Sequence, residues 1–142
     1  MDGRISQIVS ASTTNAYTYD DASRITAISD SSNNALAWTY GYDALDRISN
    51  ASNTDTAFGW NYDADGNRLS QTGTSATAFN INTANSQLTS TTGALSRTYN
   101  YNAAGMVITN GSNTFGYNNS GRMMSTTAGS TNYLYNALGQ LT

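Results

Sequence analysis

Apolar side chains recur along this chain in pairs two residues apart, each pair followed by a short polar stretch and then by one aliphatic. The phrase reads Tyr17-Thr-Tyr19-Asp20-Asp-Ala-Ser23-Arg24-Ile25, Tyr40-Gly-Tyr42-Asp43-Ala-Leu-Asp46-Arg47-Ile48 and Trp60-Asn-Tyr62-Asp63-Ala-Asp-Gly66-Asn-Arg68-Leu69. Later copies begin at Phe79-Asn-Ile81-Asn82, Tyr99-Asn-Tyr101-Asn102, Phe115-Gly-Tyr117-Asn118 and Tyr133-Leu-Tyr135-Asn136. Side chains at i and i+2 share one face of a strand, and these are strand-forming residues. Asp or Asn then opens a type I turn, and the fourth turn residue must tolerate a left-handed backbone, as Gly105, Gly121 and Gly139 do. Asp46 and Asn85 are the next best residues for that place, and Ser23 is a weaker substitute. The copies from Asp63 to Arg68 and from Asn82 to Gln87 carry one extra residue, which predicts slightly longer loops.

The aliphatic after each turn (Ile25, Ile48, Leu69, Leu88, Val107, Met123, Leu141) returns to the face that the aromatics began. Each phrase is therefore a strand, a turn and a strand. Polar segments at 30–34, 50–56, 72–77 and 89–93 read as the return turns. A period of about 20 residues marks one supersecondary unit copied along an array. The predicted fold is all-β: about seven antiparallel β-hairpins in one continuous sheet, with 1–142 as a single array and the aromatic stripe as its core.

Composition tests this picture. Leu, Ile, Val and Phe supply only 20 of 142 residues, low enough to raise disorder. Against disorder stand ten Tyr and two Trp at regular spacing, a net charge of −3 and no Pro. Cys, His, Lys and Glu are all absent, which excludes disulfides and thiolate sites and removes the commonest general base, zinc ligand and Schiff-base amine. Six scattered Arg on an acidic chain leave nucleic-acid phosphates unanswered. No stretch approaches a membrane span, and the first residues hold no apolar run of the signal-peptide kind.

Five sets of residues invite a sharper reading. Asp63-Ala-Asp65-Gly66-Asn67 begins like a calcium loop, but the bidentate acid such a loop needs falls on Thr74, and the sister copies replace the acid with Asn82, Asn102, Asn118 and Asn136. Asp43, Asp46, Asp63 and Asp65 are the available carboxylate pairs for glycoside hydrolysis; their turn-tip positions predict solvated ends. Trp38, Trp60 and nearby Tyr form a candidate sugar platform. Arg24, Arg47, Arg68 and Arg122 are placed to pair with turn Asp or to stack on Tyr. Asn50, Asn110 and Asn118 open glycosylation triplets of a kind expected by chance in an Asn-rich chain. No catalytic, cofactor-binding or metal residue is assigned.

The repeated phrase resembles the YD repeats of RHS proteins, Tyr-x-Tyr-Asp-x-x-Gly-Arg-Leu, over essentially the whole chain. That family includes bacterial Rhs effectors, the C component of toxin complexes, wall-associated proteins and teneurins. The resemblance implies a sheet that spirals into a hollow shell, which in the toxins encloses an effector polypeptide. It also implies an extracellular or cell-surface location and no enzymatic role. The family's longer members carry many more repeats, and its toxins end in a self-cleaving module with an Asp-Pro motif; this chain contains no Pro. The chain opens at Asp2-Gly3-Arg4-Ile5 and closes at Gly139-Gln140-Leu141 in one phase of the repeat, as a window of an array would. The expected partners are other RHS repeats, an enclosed polypeptide, or copies of the chain itself. In that last alternative, open strand edges add end to end into an extracellular fibre or adhesion unit.

Overall fold

A computed structural model describes residues 3–142, so the Asp2 that would open the first partial turn lies outside the described residues. The chain divides into two compact units, residues 1–76 and 77–142. In the first unit the strands are β1 (Gln7–Ser10), β2 (Thr13–Tyr19), β3 (Ile25–Asp30), β4 (Trp38–Tyr42), β5 (Ile48–Ser52), β6 (Ala57–Tyr62) and β7 (Arg68–Gln71). In the second they are β8 (Thr77–Asn82), β9 (Gln87–Gly93), β10 (Arg97–Tyr101), β11 (Val107–Asn110), β12 (Asn113–Tyr117), β13 (Met123–Thr126) and β14 (Thr131–Asn132). Within each unit the strands pair antiparallel and lie in the sheet in chain order. Single 3-10 turns at Asn34–Leu36 and Ala128–Ser130 are the only helical pieces among the described residues.

The first six copies of the phrase each form a hairpin with a bulge at the second apolar residue. Thr18 pairs with Ala27 but Tyr19 with Ile25, and the same shift occurs at Tyr42, Tyr62, Ile81, Tyr101 and Tyr117. The bulge accompanies a left-handed residue at the end of the turn: Ser23 (φ 67°), Asp46 (φ 62°) and Gly105 (φ 78°). The seventh copy keeps its turn, with Gly139 at φ 77°, but closes on a single bridge between Tyr135 and Leu141.

Three expectations are corrected. The Asp63 loop is no longer than its sisters: Tyr62 pairs with Arg68, six residues on, as Tyr42 pairs with Ile48, so Asn67 takes the Arg position and Arg68 the aliphatic one. Only the Asn82 copy is longer, and there Ser86 (φ 54°), not Asn85, takes the left-handed conformation because Asn82 and Gln87 pair across a four-residue loop. The segment 89–93 is strand, and 50–52 likewise ends β5. Their small polar residues fill the second face of the sheet, where Ser90 stands opposite Asn80 and Ser52 opposite Thr39.

The sheet is therefore two-faced. In the first unit Tyr17, Ile28 and Trp38 align across β2, β3 and β4, and Tyr40, Ala51 and Phe58 across β4, β5 and β6. The opposite face carries Ala27, Thr39 and Ser52, with Asn50 between Gly41 and Gly59. Hydroxyl and amide pairs knit that face, as between Asn61 and Ser70 (2.9 Å) and between Thr39 and Ser52 (2.9 Å). The aromatic stripe does not form the expected dry core. Ala51 (5% exposed) is the one buried apolar residue among those described, and the aromatics are half-buried. A single layer offers a side chain neighbours on its own face only, and burial to core level takes a second layer.

Candidate functional site

The sites with the most side-chain chemistry are the turns and the junctions between them. At the first turn the Asp20 carbonyl accepts from Ser23 N–H (3.0 Å), and Oδ1 accepts from Arg24 N–H (2.9 Å). Asp43 repeats this, its Oδ1 accepting from Leu45 and Arg47 N–H at 2.9 and 3.0 Å. Asn102, Asn118 and Asn136 do the same through their side-chain oxygens toward Met106, Arg122 and Gln140, each at 3.0 Å. Asp and Asn thus serve one geometric role, because the bond needs an acceptor and not a charge.

Where the opener is Asp, the second carboxylate oxygen takes a further partner. Arg24 Nε donates to Asp20 Oδ2 and Arg47 Nε to Asp43 Oδ2, both at 2.7 Å, while Asn67 Nδ2 donates to Asp63 Oδ2 at 2.9 Å. The Arg24 side chain and amide hold the Asp20 carboxyl below its usual value, and the Arg24 guanidinium is raised in turn. The Arg47 amide, then its side chain, lowers Asp43; the Asn67 side chain lowers Asp63. Asp30, at the opposite end of β3, is lowered by the Ser32 hydroxyl and amide.

The guanidinium also reaches the next hairpin. Arg24 Nη1 donates to Asp46 Oδ1, Arg47 Nη1 to the Asp63 carbonyl (2.8 Å) and Arg4 Nη1 to the Asp20 carbonyl (3.1 Å). Four guanidinia lie over the second Tyr of the following phrase: Arg4 over Tyr19 (5.0 Å), Arg24 over Tyr42 and Arg47 over Tyr62 (both 4.7 Å), and Arg122 over Tyr135 (5.9 Å). That Tyr then donates its hydroxyl back to the carbonyl of the residue after the preceding turn. Tyr19 bonds Ile5, Tyr42 bonds Ile25 and Tyr62 bonds Ile48, at 2.7, 2.7 and 2.9 Å. Tyr101, Tyr117 and Tyr135 bond Leu88, Val107 and Met123 at 2.8, 2.9 and 2.9 Å. Turn, guanidinium, phenol and carbonyl make a lock from one hairpin to the next. Sequence reasoning anticipated the pairing of Arg with turn Asp and its stacking on Tyr but missed the phenol-to-carbonyl bond, although a signal was present: the first aromatic of the phrase varies among Tyr, Trp and Phe, whereas the second position is Tyr in every copy but one, Ile81.

The expected site residues fall as follows. Both Asp63 oxygens of the calcium-like loop are engaged by the turn's own donors, Asn67 N–H and Nδ2, and no cluster of three metal-ligating residues occurs among the described residues. Asp43 is spent on its own turn, and Asp46, 72% exposed, pairs with Arg24. Arg24, Arg47 and Arg122 stack on Tyr, while Arg68 sits opposite Tyr62 and donates to Gln71 Oε1 (3.3 Å). Trp38, Phe58 and Trp60 stack on one another, with centroids 6.2 and 5.9 Å apart, so part of the ring surface a sugar would use is already covered. A shallow depression beside Trp38, lined also by Ile28, Thr39 and Asn53, holds no ionisable side chain. Asn50 is exposed on the polar face, Asn110 accepts from Arg97, and Asn118 closes its turn.

The family model described as the teneurin YD-shell matches residues 8–142. The chain belongs to the teneurin YD-shell family. Comparison with curated proteins returns no match. Among solved structures, the YD-shell chain resembles one entitled "Crystal Structure of TcdB2-TccC3-Cdc42", with a TM-score of 0.73 at 16% identity over 92% of this chain. It resembles equally the "Structure of Photorhabdus luminescens Tc holotoxin pore, Mutation TccC3-D651A", with a TM-score of 0.70 at 16% identity over 91% of this chain. The present YD-shell sequence spans 9% of either matched chain. At that identity the likeness is one of fold. The YD-shell is a structural fold, and the lock is one of the contacts that hold it together.

Proposed function

We propose that the chain is a non-enzymatic stretch of extracellular YD-shell wall, residues 1–142 forming one repeat array within a longer assembly that helps to enclose a polypeptide. The observation that carries this reading is the lock. The same phenol-to-carbonyl bond recurs at Tyr19, Tyr42 and Tyr62 in the first unit and at Tyr101, Tyr117 and Tyr135 in the second, so within each unit hairpins are fastened to their predecessors by side chains as well as by strand pairing. The carboxylates of Asp20, Asp43 and Asp63 are occupied in closing turns. No catalytic, cofactor or metal residue is assigned, and no helix is long and apolar enough to cross a membrane among the described residues. Likeness to chains of toxin complexes supports enclosure, with other repeats and a held polypeptide as partners.

Negative-stain microscopy and sedimentation of the purified chain over rising concentration test the wall reading. A wall segment stays free of fibres, whereas regular fibres of uniform width overturn it in favour of a subunit that polymerises through its strand edges. Enclosure is tested by limited proteolysis of the natural gene product containing residues 1–142. A segment outside the array should resist cleavage until denaturant opens the wall; cleavage at an unhindered rate refutes enclosure.

A further inference from the structure

The charges are divided unequally between the two units. All nine acidic residues lie between Asp2 and Asp65, with Arg4, Arg24, Arg47 and Arg68 in the same unit; residues 77–142 hold Arg97, Arg122 and no acidic residue. The turns follow this division. Asp20, Asp43 and Asp63 open those of the first unit, and Asn82, Asn102, Asn118 and Asn136 those of the second. The geometry at the two kinds of turn is otherwise shared, since Asp43 Oδ1 accepts from Leu45 and Arg47 N–H and Asn136 Oδ1 from Leu138 and Gln140 N–H.

We propose that the fold is divided into an acid-sensitive first unit, whose carboxylate-closed turns and junctions loosen at low pH, and an acid-insensitive second unit, whose amide-closed turns do not. The charged groups around each opener settle the direction. The Asp20 carboxylate faces Arg24 of its own turn while its carbonyl accepts from Arg4 of the preceding segment, and Arg24 is shared with Asp46 of the next turn. Asp43 faces Arg47, whose Nη1 continues to the Asp63 carbonyl, and Asp63 itself is held by the uncharged Asn67. Asp30 faces Ser32 and Asn33. Protonating Asp20 or Asp43 removes the charge partner that the bridging guanidinium has within its own turn.

The folded-state values of Asp20, Asp30, Asp43 and Asp63 are all depressed. Such a group stabilises the fold fully above the unfolded value, about 3.9, and the contribution is lost as pH falls through the folded value. The loss therefore begins below about pH 5 and deepens under about pH 4. An Asn opener does not titrate, so the second unit has no counterpart of this loss.

Tryptophan provides the selective probe, because Trp38 and Trp60 both lie in the first unit and the second has none. Urea unfolding of the whole chain is followed at pH 7 and pH 3 by tryptophan fluorescence and by far-ultraviolet circular dichroism. The expected result is a fluorescence midpoint that moves to lower urea at pH 3, while the later part of the dichroism transition stays in place. Substituting Asp20→Asn, Asp30→Asn, Asp43→Asn and Asp63→Asn together should remove most of the fluorescence shift. Three results overturn the proposal: a fluorescence midpoint indifferent to pH, two probes that move together, or a quadruple variant that keeps the full shift. If the variant fails to fold, the two-probe comparison on the unaltered chain still decides.

Discussion

Replacing Tyr42 with Phe tests the lock with one oxygen atom. The Tyr42 hydroxyl donates to the Ile25 carbonyl at 2.7 Å in a part-buried setting, and its ring lies 4.7 Å beneath the Arg24 guanidinium. Phe keeps a ring for the cation and for the strand face, so the change isolates the hydrogen bond. A net intramolecular hydrogen bond contributes about 0.5–1.5 kcal/mol, and the Ile25 carbonyl loses its phenol partner as well. The matched control is Tyr40→Phe: this ring, two residues earlier on the same face of β4, makes no hydroxyl bond with any described residue. Removing a hydroxyl that has no partner from this half-buried ring should stay within about 0.5 kcal/mol. Urea unfolding followed by Trp38 and Trp60 reads the difference. With a dependence of about 1–3 kcal/mol per molar urea, Tyr42→Phe should lower the midpoint by a few tenths of a molar to about 1 M, and Tyr40→Phe by much less. Equal shifts for the two variants, or none for Tyr42→Phe, would refute the lock as a source of stability.

Gly73 sits at φ 107°, where an added Cβ would come within 2.8 Å of both the Ala57 carbonyl oxygen and the Phe58 ring. Gly73→Ala should therefore cost about 1–3 kcal/mol, visible as an earlier tryptophan-detected transition; an unchanged midpoint would show that the return loop rearranges freely. Thr91 is 2% exposed and its hydroxyl has no hydrogen-bond partner among the described residues. Thr91→Val keeps the shape and removes the stranded oxygen, and should stabilise the second unit by about 1 kcal/mol in a dichroism-detected melt, whereas destabilisation would reveal a bond to ordered water.

The hairpins were legible because their signals are local. Two apolar residues at i and i+2 define a strand face wherever they stand, and Asn102 to Gly105 asks for one turn geometry whatever lies beside it. Local signals misled where two registers fitted the same residues. Asp63 to Arg68 reads as a longer loop if Arg68 is taken for the post-turn arginine, yet the strand pairing keeps the common loop length and gives that place to Asn67. The polar run 89–93 looks like a return turn until Phe79 and Arg97 are found on either side of Thr91. Half-burial of the stripe was likewise invisible, because the pattern shows which face is apolar and not how many layers pack against it.

By itself, then, the amino-acid sequence determined the repeat, the hairpin, the turn chemistry and the two faces of the sheet, all of them properties of residues close along the chain. The tertiary structure decided which phenol reaches which carbonyl, which guanidinium spans two turns and which copy absorbs an extra residue. Those contacts join residues ten or more positions apart, as Tyr42 joins Ile25, and their identity depends on a register that every strand pair fixes together, bulge included.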